Sequence, residues 1–150
     1  MFDLVTSSTA RGAGQVATQA FAEGELVHRI VDYGITEVPS YQSIQIGTTT
    51  HLEDLGVIAY LNHSCRPSTI VDTEALEVRA TRAIEPGDEL TFFYPSTEWD
   101  MDRPFDCLCA DSSCIGNVAG AKYLRLETLN DYFLNPHIQQ LLSQSPLHRG

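Results

Sequence analysis

Asn62-His63-Ser64-Cys65-Arg66-Pro67 and Cys107-Leu108-Cys109-Ala110-Asp111-Ser112-Ser113-Cys114-Ile115-Gly116 together contain every cysteine of the chain. Three thiols crowd into C-x-C-x4-C and the fourth stands far upstream. Four thiolates suit one tetrahedral zinc, and a structural site is typically closed by protein ligands alone. A remote ligand, Cys65, would then pin the tail to the body. Two disulfides, or four separately buried thiols, are the other readings of the same residues. Neighbouring cysteines in C-x-C are poorly placed to bond each other. The start, Met1-Phe2-Asp3-Leu4-Val5-Thr6, shows no basic segment followed by an apolar one, so the expected setting is reduced and intracellular, in nucleus or cytoplasm. Zinc at Cys65, Cys107, Cys109 and Cys114 is the favoured reading.

Working outward, 150 residues of which 43% are hydrophobic fit one domain with its own core. No run approaches the ~20 apolar residues of a membrane helix. A net charge of −11 repels phosphate backbones, and the nine Lys and Arg form no cluster, so direct nucleic-acid binding is not expected. A cationic partner suits the charge better, although an acidic surface also serves solubility.

Val16–Phe21 and Glu25–Val31 read as strands around Ala22-Glu23-Gly24, and Tyr41–Ile46 alternates as a half-buried strand would. Leu52–Leu61 spaces its apolar residues like one short helix. Thr69–Val71 and Leu76–Thr81 read as a strand pair, Glu85-Pro86-Gly87-Asp88 as a turn, and Glu89–Tyr94 as an aromatic-rich strand. Ala121–Phe133 reads as an amphipathic helix ended by Asn135-Pro136, with His137–Ser143 a second one and the last residues frayed. The fold class is mostly β.

Four segments occur in one order: Arg11-Gly12-Ala13-Gly14, Asn62-His63-Ser64-Cys65-Arg66-Pro67, Gly87-Asp88-Glu89-Leu90-Thr91-Phe92-Phe93-Tyr94, and Cys107-x-Cys109-x4-Cys114-x-Gly116. This order resembles the SET-domain protein lysine methyltransferases, with their glycine-x-glycine loop, N-H-S-C-x-P-N segment, G-E-E-L-T-F-x-Y strand and post-SET cysteine loop. The resemblance implies short curved sheets with a pseudo-knot at the Asn62 segment, a zinc-bound post-SET loop and a C-terminal helix. It divides the chain into a SET domain over 1–104, a post-SET loop over 105–117 and a C-terminal helical extension over 118–150.

By the same resemblance, Gly12, Ala13 and Gly14 would let backbone approach S-adenosylmethionine. Asn62 and His63 would meet its adenosine part, His63 without acting as a general base. Tyr94 would lie beside the methyl-transfer channel, with Tyr41 as a second channel tyrosine on a shorter local match. The cysteine loop would cover the cofactor, with Phe105, Leu108 and Ile115 as apolar cover.

This chain departs from the family pattern in three places. Ser68 stands where an asparagine usually closes N-H-S-C-x-P, and a hydroxyl cannot reproduce an amide's separate donor and acceptor. Phe93 replaces a residue that is often acidic. Only about 20 residues separate Ile30 from Leu52, where the family generally inserts a helical subdomain forming one wall of the peptide groove. The implied activity is methyl transfer from S-adenosylmethionine to a lysine of a protein, a histone or another basic peptide. The alternative is a zinc-stabilised SET-like protein recruited to small-molecule chemistry or acting as a binding module.

Overall fold

Glu85-Pro86-Gly87-Asp88 forms the turn that its composition predicts. The Asp88 amide donates to the Glu85 carbonyl, the Asp88 carboxylate accepts from the Glu85 amide, and Gly87 takes φ +93°, a left-handed value that costs glycine nothing. The computed structural model describes residues 4–9, 12–109 and 111–148.

The turn feeds the strand that organises the molecule. β1 (Leu4–Thr9) and β2 (Gly12–Ala17) form an antiparallel pair. β3 (Leu26–Arg29), β4 (Gly34–Thr36), β5 (Ile44–Gln45) and β6 (His51–Glu53) follow. After a 3-10 turn over Gly56–Tyr60 come β7 (Asn62–His63), β8 (Thr69–Asp72), β9 (Glu77–Ala80) and β10 (Glu89–Phe92). β11 (Phe105–Asp106) and β12 (Asn117–Val118) bracket the cysteine loop. Sheet orders are β1-β2-β10-β7, β3-β9-β8 and β4-β6-β5. β10 pairs antiparallel to β2 but parallel to β7, with Thr91 opposite Asn62 and Phe92 opposite His63. That parallel ladder lies where the resemblance puts the pseudo-knot.

The main core packs Val27, Leu52, Ile58, Leu61, Val71 and Leu90 between these sheets. A second core joins Phe93 to Ala121, Leu129, Ile138 and Leu142 of the C-terminal region. Short helices α1 (Leu126–Leu129) and α2 (Pro136–Gln144) carry Leu129, Ile138 and Leu142. Pro136 opens α2 at a position where its missing N–H costs nothing.

Several expectations are corrected. The strand read over Val16–Phe21 is instead Gly12–Ala17, with Phe21 only bridging to Ile84. Of Tyr41–Ile46 only Ile44 and Gln45 are strand, and both are buried, because Gln45 turns its amide inward to Gly47 and Trp99. Leu52–Leu61 splits into β6 and the 3-10 turn, since Asp54 and Gly56 take φ +57° and +60° and interrupt any helix. Ala121–Phe133 is also not one helix. It divides into a 3-10 turn over Ala121–Tyr123 and α1, with Leu124 and Arg125 extended between them. Its apolar residues face different partners: the Tyr123 hydroxyl donates to Asp100 and the Tyr132 hydroxyl to the Cys65 carbonyl. The tail is not frayed through His148, whose ring reaches the Leu124 carbonyl at 2.7 Å and lies against Trp99. Gly120 is required where it stands: at φ +117° a Cβ would collide with the Trp99 carbonyl.

Ser68 performs better than its chemistry predicts. Its hydroxyl donates to the Glu89 carbonyl at 3.0 Å and accepts the Thr91 amide at 3.0 Å, while its own amide donates to the Thr91 hydroxyl. One hydroxyl thus supplies both a donor and an acceptor to β10, the pair expected to need an amide.

Candidate active site and zinc clamp

β7 and β10 place His63 between two functional regions. The Tyr94 amide donates to His63 Nδ1 at 3.1 Å, so that nitrogen is an acceptor and the ring proton of neutral His63 sits on Nε2. Nε2 faces Cys65 Sγ at 3.4 Å. The Ile115 amide donates to the same sulfur at 3.4 Å. Two N–H groups therefore converge on Cys65, as expected around a thiolate metal ligand.

The sulfurs of Cys65, Cys107, Cys109 and Cys114 lie within 4.8 Å of one another. Cys65 and Cys107 are 3.9 Å apart, and a tetrahedral site with Zn–S distances of about 2.3 Å has sulfur–sulfur edges of about 3.8 Å. All four are free thiols and they are gathered in one cluster, so the structure shows neither the two disulfides nor the four separately buried thiols of the alternative readings. Burial pushes Cys65 far above the ordinary thiol range and Cys107 up to about 11. For Cys109 burial is also the largest influence and pushes upward. The Asp111 backbone and the Cys107 and Cys114 thiols outweigh it, bringing Cys109 down to about 7. Thiols this crowded ionise together only against a compensating cation, and a dication of zinc's size fits the set.

On the other side of His63, a cavity of about 390 Å³ is lined by Asn62, His63, Tyr94, Phe105, Cys107 and Leu108, among others. Its volume falls in the range of small-molecule sites, roughly 300–1,000 Å³. Phe105 and Leu108, expected as apolar cover, do line it. Ile115 instead packs toward the second core. A smaller cavity of about 40 Å³ adjoins, lined by Ser43, Ile58, Leu61, Phe92 and Glu98. Tyr41, Tyr94, Met101 and Arg103 line both. The Tyr94 hydroxyl donates to the Leu61 carbonyl at 2.6 Å, which fixes the ring between the two spaces. Tyr41 lies in a loop, 62% exposed, with the Arg103 guanidinium 4.7 Å above its ring.

The structure brings Asn62, His63, Tyr41 and Tyr94 to one place and the four cysteines to its edge. Gly12, Ala13 and Gly14 are strand rather than loop, because they pair across to Thr9, Ser8 and Ser7 of β1. Gly14 is buried and is not among the described lining residues of the larger cavity. The Ala13 side chain and the surroundings of Gly12 fall outside the described residues. Sequence reasoning missed Glu98, Met101 and Arg103, which follow the aromatic strand without any motif of their own. It also missed Tyr132, whose ring stacks on Phe93 at 3.6 Å and whose hydroxyl holds the Cys65 carbonyl. That stack accounts for an aromatic, rather than an acid, at Phe93.

Residues 12–95 match the SET domain family model. The chain belongs to the SET-domain family. Over 142 residues it is 38% identical to Methyltransferase flvH of Aspergillus flavus, the match covering 93% of this chain and 80% of that one. It is 30% identical to the histone-lysine N-methyltransferase Suv4-20 of Caenorhabditis elegans, over 77% of this chain but 44% of the relative. An H3 lysine-36-specific histone-lysine N-methyltransferase of Chaetomium globosum matches at 37%, over 41% of this chain and 7% of the relative. The methyltransferase domain of human SETMAR superposes with a TM-score of 0.60 at 18% identity, covering 80% of this chain and 59% of that one. KRYPTONITE bound to DNA and SAH does so with 0.60 at 19%, covering 77% and 29%. The mostly β SET fold read from the motif order is therefore present, and S-adenosylmethionine-dependent methyl transfer is supported as the activity of this SET-domain chain.

Titratable groups at least partly buried in the fold give the protein a pH signature. Burial lifts Glu98 to about 7, against hydrogen bonds from Thr97 and Gln45 that lower it. Burial lowers His28, His51 and His137 from their usual 6.5. A raised carboxyl contributes stability that is present below about 4.5 and lost as the pH rises through about 7. The histidines contribute above 6.5 and lose their contribution as the pH falls through their folded values. Between those limits the two kinds oppose each other. Urea unfolding at about pH 5 and about pH 7.5 should show a larger acid loss in Glu98→Gln than in the parent. Equal losses would mean that Glu98 ionises in the fold as it does in the unfolded chain.

Proposed function

We propose that the chain transfers a methyl group from S-adenosylmethionine to the side-chain amine of a lysine in a protein. The observation that carries this reading is the meeting of two cavities at Tyr94, one large enough for a nucleoside-containing cofactor and one only wide enough for a slender group. The larger cavity would hold the cofactor against Asn62, His63 and Phe105, and the cysteine loop supplies part of its wall. Bound there, S-adenosylmethionine supplies an electrophilic methyl on a sulfonium.

The chain's own part is alignment and water exclusion. The Tyr94 hydroxyl spends its proton on the Leu61 carbonyl, which leaves its oxygen as a fixed acceptor for an amine N–H. Tyr94 and the apolar Ile58, Leu61 and Phe92 confine the amine to one approach. Holding reactants in line is where such a site gains most of its rate. Zinc on Cys65, Cys107, Cys109 and Cys114 would hold the post-SET loop, 105–117, over the cofactor. Related chains are named histone-lysine N-methyltransferases, and a net charge of −11 suits a basic protein such as a histone.

One observation favours a second acceptor, a small amine. The stretch between β3 and β6 contains only the short strands β4 and β5 and no helix, so the groove wall that would hold an extended peptide is reduced.

Calorimetry of the zinc-loaded protein with S-adenosylhomocysteine tests the reading directly, and no binding at millimolar ligand would sink it. Labelled-methyl transfer to mixed proteins or to free amines then separates the two acceptors. Tyr94→Phe removes the anchor to Leu61 and should lower turnover about 100-fold, the scale of a small misalignment. The same turnover in that variant would remove Tyr94 from the site.

A further inference from the structure

The smaller cavity contains a carboxylate that the methyl-transfer reading does not use. Glu98 lines it together with Tyr41 and Tyr94. Its Oε2 accepts the Gln45 amide at 2.9 Å and the Thr97 hydroxyl at 2.6 Å. Among the described residues no donor reaches Oε1, and no Lys or Arg pairs with the carboxylate. Arg103, the cation lining the same space, stands over the Tyr41 ring instead, and Asp102 adds a second acid.

The carboxylate is rigidly placed. Gln45, which holds it through its backbone, is itself buried and fixed by Trp99 and Gly47 through its amide. The Glu98 amide donates to the Tyr94 carbonyl at 2.9 Å, so the acid and the channel tyrosine share one support. A half-buried acid with one oxygen committed and the other open carries an unmet demand for a cation or a donor. The cavity's shape limits what can answer. About 40 Å³ holds about three waters, which admits an ammonium head on a slim aliphatic stem and excludes a bulky group.

We propose that Glu98 is the acceptor-binding carboxylate of this site, selecting a primary ammonium that enters the small cavity end-on. The inference rests on the reading of the acceptor as an amine. Its Oε1 takes one N–H of the entering group, and its charge favours the cationic form over a neutral isostere. When the ammonium gives up a proton, the Glu98 carboxylate that holds it can receive it. The carboxylate becomes a carboxylic acid, the acceptor becomes a neutral amine with a free lone pair, and the proton passes on to solvent. Burial keeps the carboxyl close to neutrality in its proton affinity, which suits that exchange.

The test is calorimetry of n-butylammonium and 1-butanol on the zinc-loaded full chain, in the parent, Glu98→Gln and Glu98→Asp. The parent should bind the ammonium at least tenfold more tightly than the alcohol. Glu98→Gln, whose amide oxygen can still accept from Gln45 and Thr97, should lose that preference, and Glu98→Asp should restore part of it. An undiminished preference in Glu98→Gln overturns the inference, as does a parent that binds neither probe or both alike. Should Glu98→Gln fail to fold, the parent's discrimination between the probes decides alone. S-adenosylhomocysteine affinity, read separately, should be unchanged in Glu98→Gln, because Glu98 does not line the larger cavity. An ammonium preference without cofactor binding leaves the inference standing while methyl transfer falls. Cofactor binding without the preference overturns Glu98 alone.

Discussion

Removing zinc with a chelator should abolish S-adenosylhomocysteine binding and release the segment 105–117, while the main core stays folded. Structural zinc sites contribute apparent binding energies of about 10 kcal/mol or more, as large as the whole stability of many domains. With zinc on these four thiols, that energy would be concentrated on one loop. β11 and β12 are two residues each, and Phe105 and Asp106 are exposed. Among the described residues the other backbone bonds within the loop are the Cys107 amide on the Gly116 carbonyl at 2.6 Å and the Cys114 amide on the Asp111 carbonyl at 3.0 Å, while the Ile115 amide reaches the Cys65 sulfur, itself a member of the thiol cluster. Such a hairpin does not hold itself in water. The Cys65 end behaves differently. The Ser64 amide donates to the Phe92 carbonyl, Ser68 is bonded to both neighbours on β10, and Tyr132 holds the Cys65 carbonyl. Val27, Leu52, Val71 and Leu90 pack without any loop residue.

Hydrogen exchange should therefore show amides of 105–117 losing protection on chelation, with β8, β9 and β10 unchanged. Because Phe105, Cys107 and Leu108 form a wall of the larger cavity, calorimetry should lose the cofactor in the same step. Cys107→Ser should reproduce both effects in the presence of zinc. Retained protection and undiminished binding after chelation would show that the loop stands without metal and that the thiol cluster is incidental to the site.

The contrast between loop and core explains what could be read from the sequence. The four cysteines were legible because metal coordination ties residue type to geometry. Three thiols in eight residues and one remote partner leave few arrangements, and the structure gathers all four. Asn62, His63 and Tyr94 were legible through motif order, and β7 beside β10 brings them together. The glycine-x-glycine segment was read as a loop, but glycine permits a loop without requiring one, and here it pairs along β1. Glu98 was invisible for a different reason. A lone acid after a strand reads as solvated surface, and its burial depends on Gln45, which comes from the other side of the chain. The helix read over Ala121–Phe133 failed because spacing reports which residues are apolar and not what each one faces. Tyr123 and Tyr132 belong to different partners.

Asn135→Ala should destabilise the protein by roughly 3–5 kcal/mol, the cost of stranding several buried backbone groups at about 1–3 kcal/mol each. Asn135 is fully buried and every polar atom of its amide is engaged. Its Nδ2 donates to the Val71 carbonyl at 2.8 Å and to the Ser96 carbonyl at 2.9 Å, and its Oδ1 accepts the Thr73 amide at 2.9 Å and the Thr73 hydroxyl at 3.1 Å. One side chain thus ties the end of β8 and the segment after Tyr94 to the start of α2. Alanine leaves the Val71 carbonyl and the Thr73 amide without the partner that Asn135 supplied. Asn135→Asp is the sharper probe, because it keeps the shape and the acceptor while replacing two donors with a charge facing two carbonyls. Urea unfolding should rank the parent above both variants, with aspartate no better than alanine. The damage should extend to the site, since Ser96 and Thr97 lie between Tyr94 and Glu98 and the His137 ring holds the Thr97 carbonyl at 2.7 Å. Cofactor affinity measured below the unfolding transition should therefore weaken along with stability. A variant that unfolds at the parent's urea midpoint would mean that the C-terminal extension is an appendage, with the second core adding nothing to the support of Tyr94.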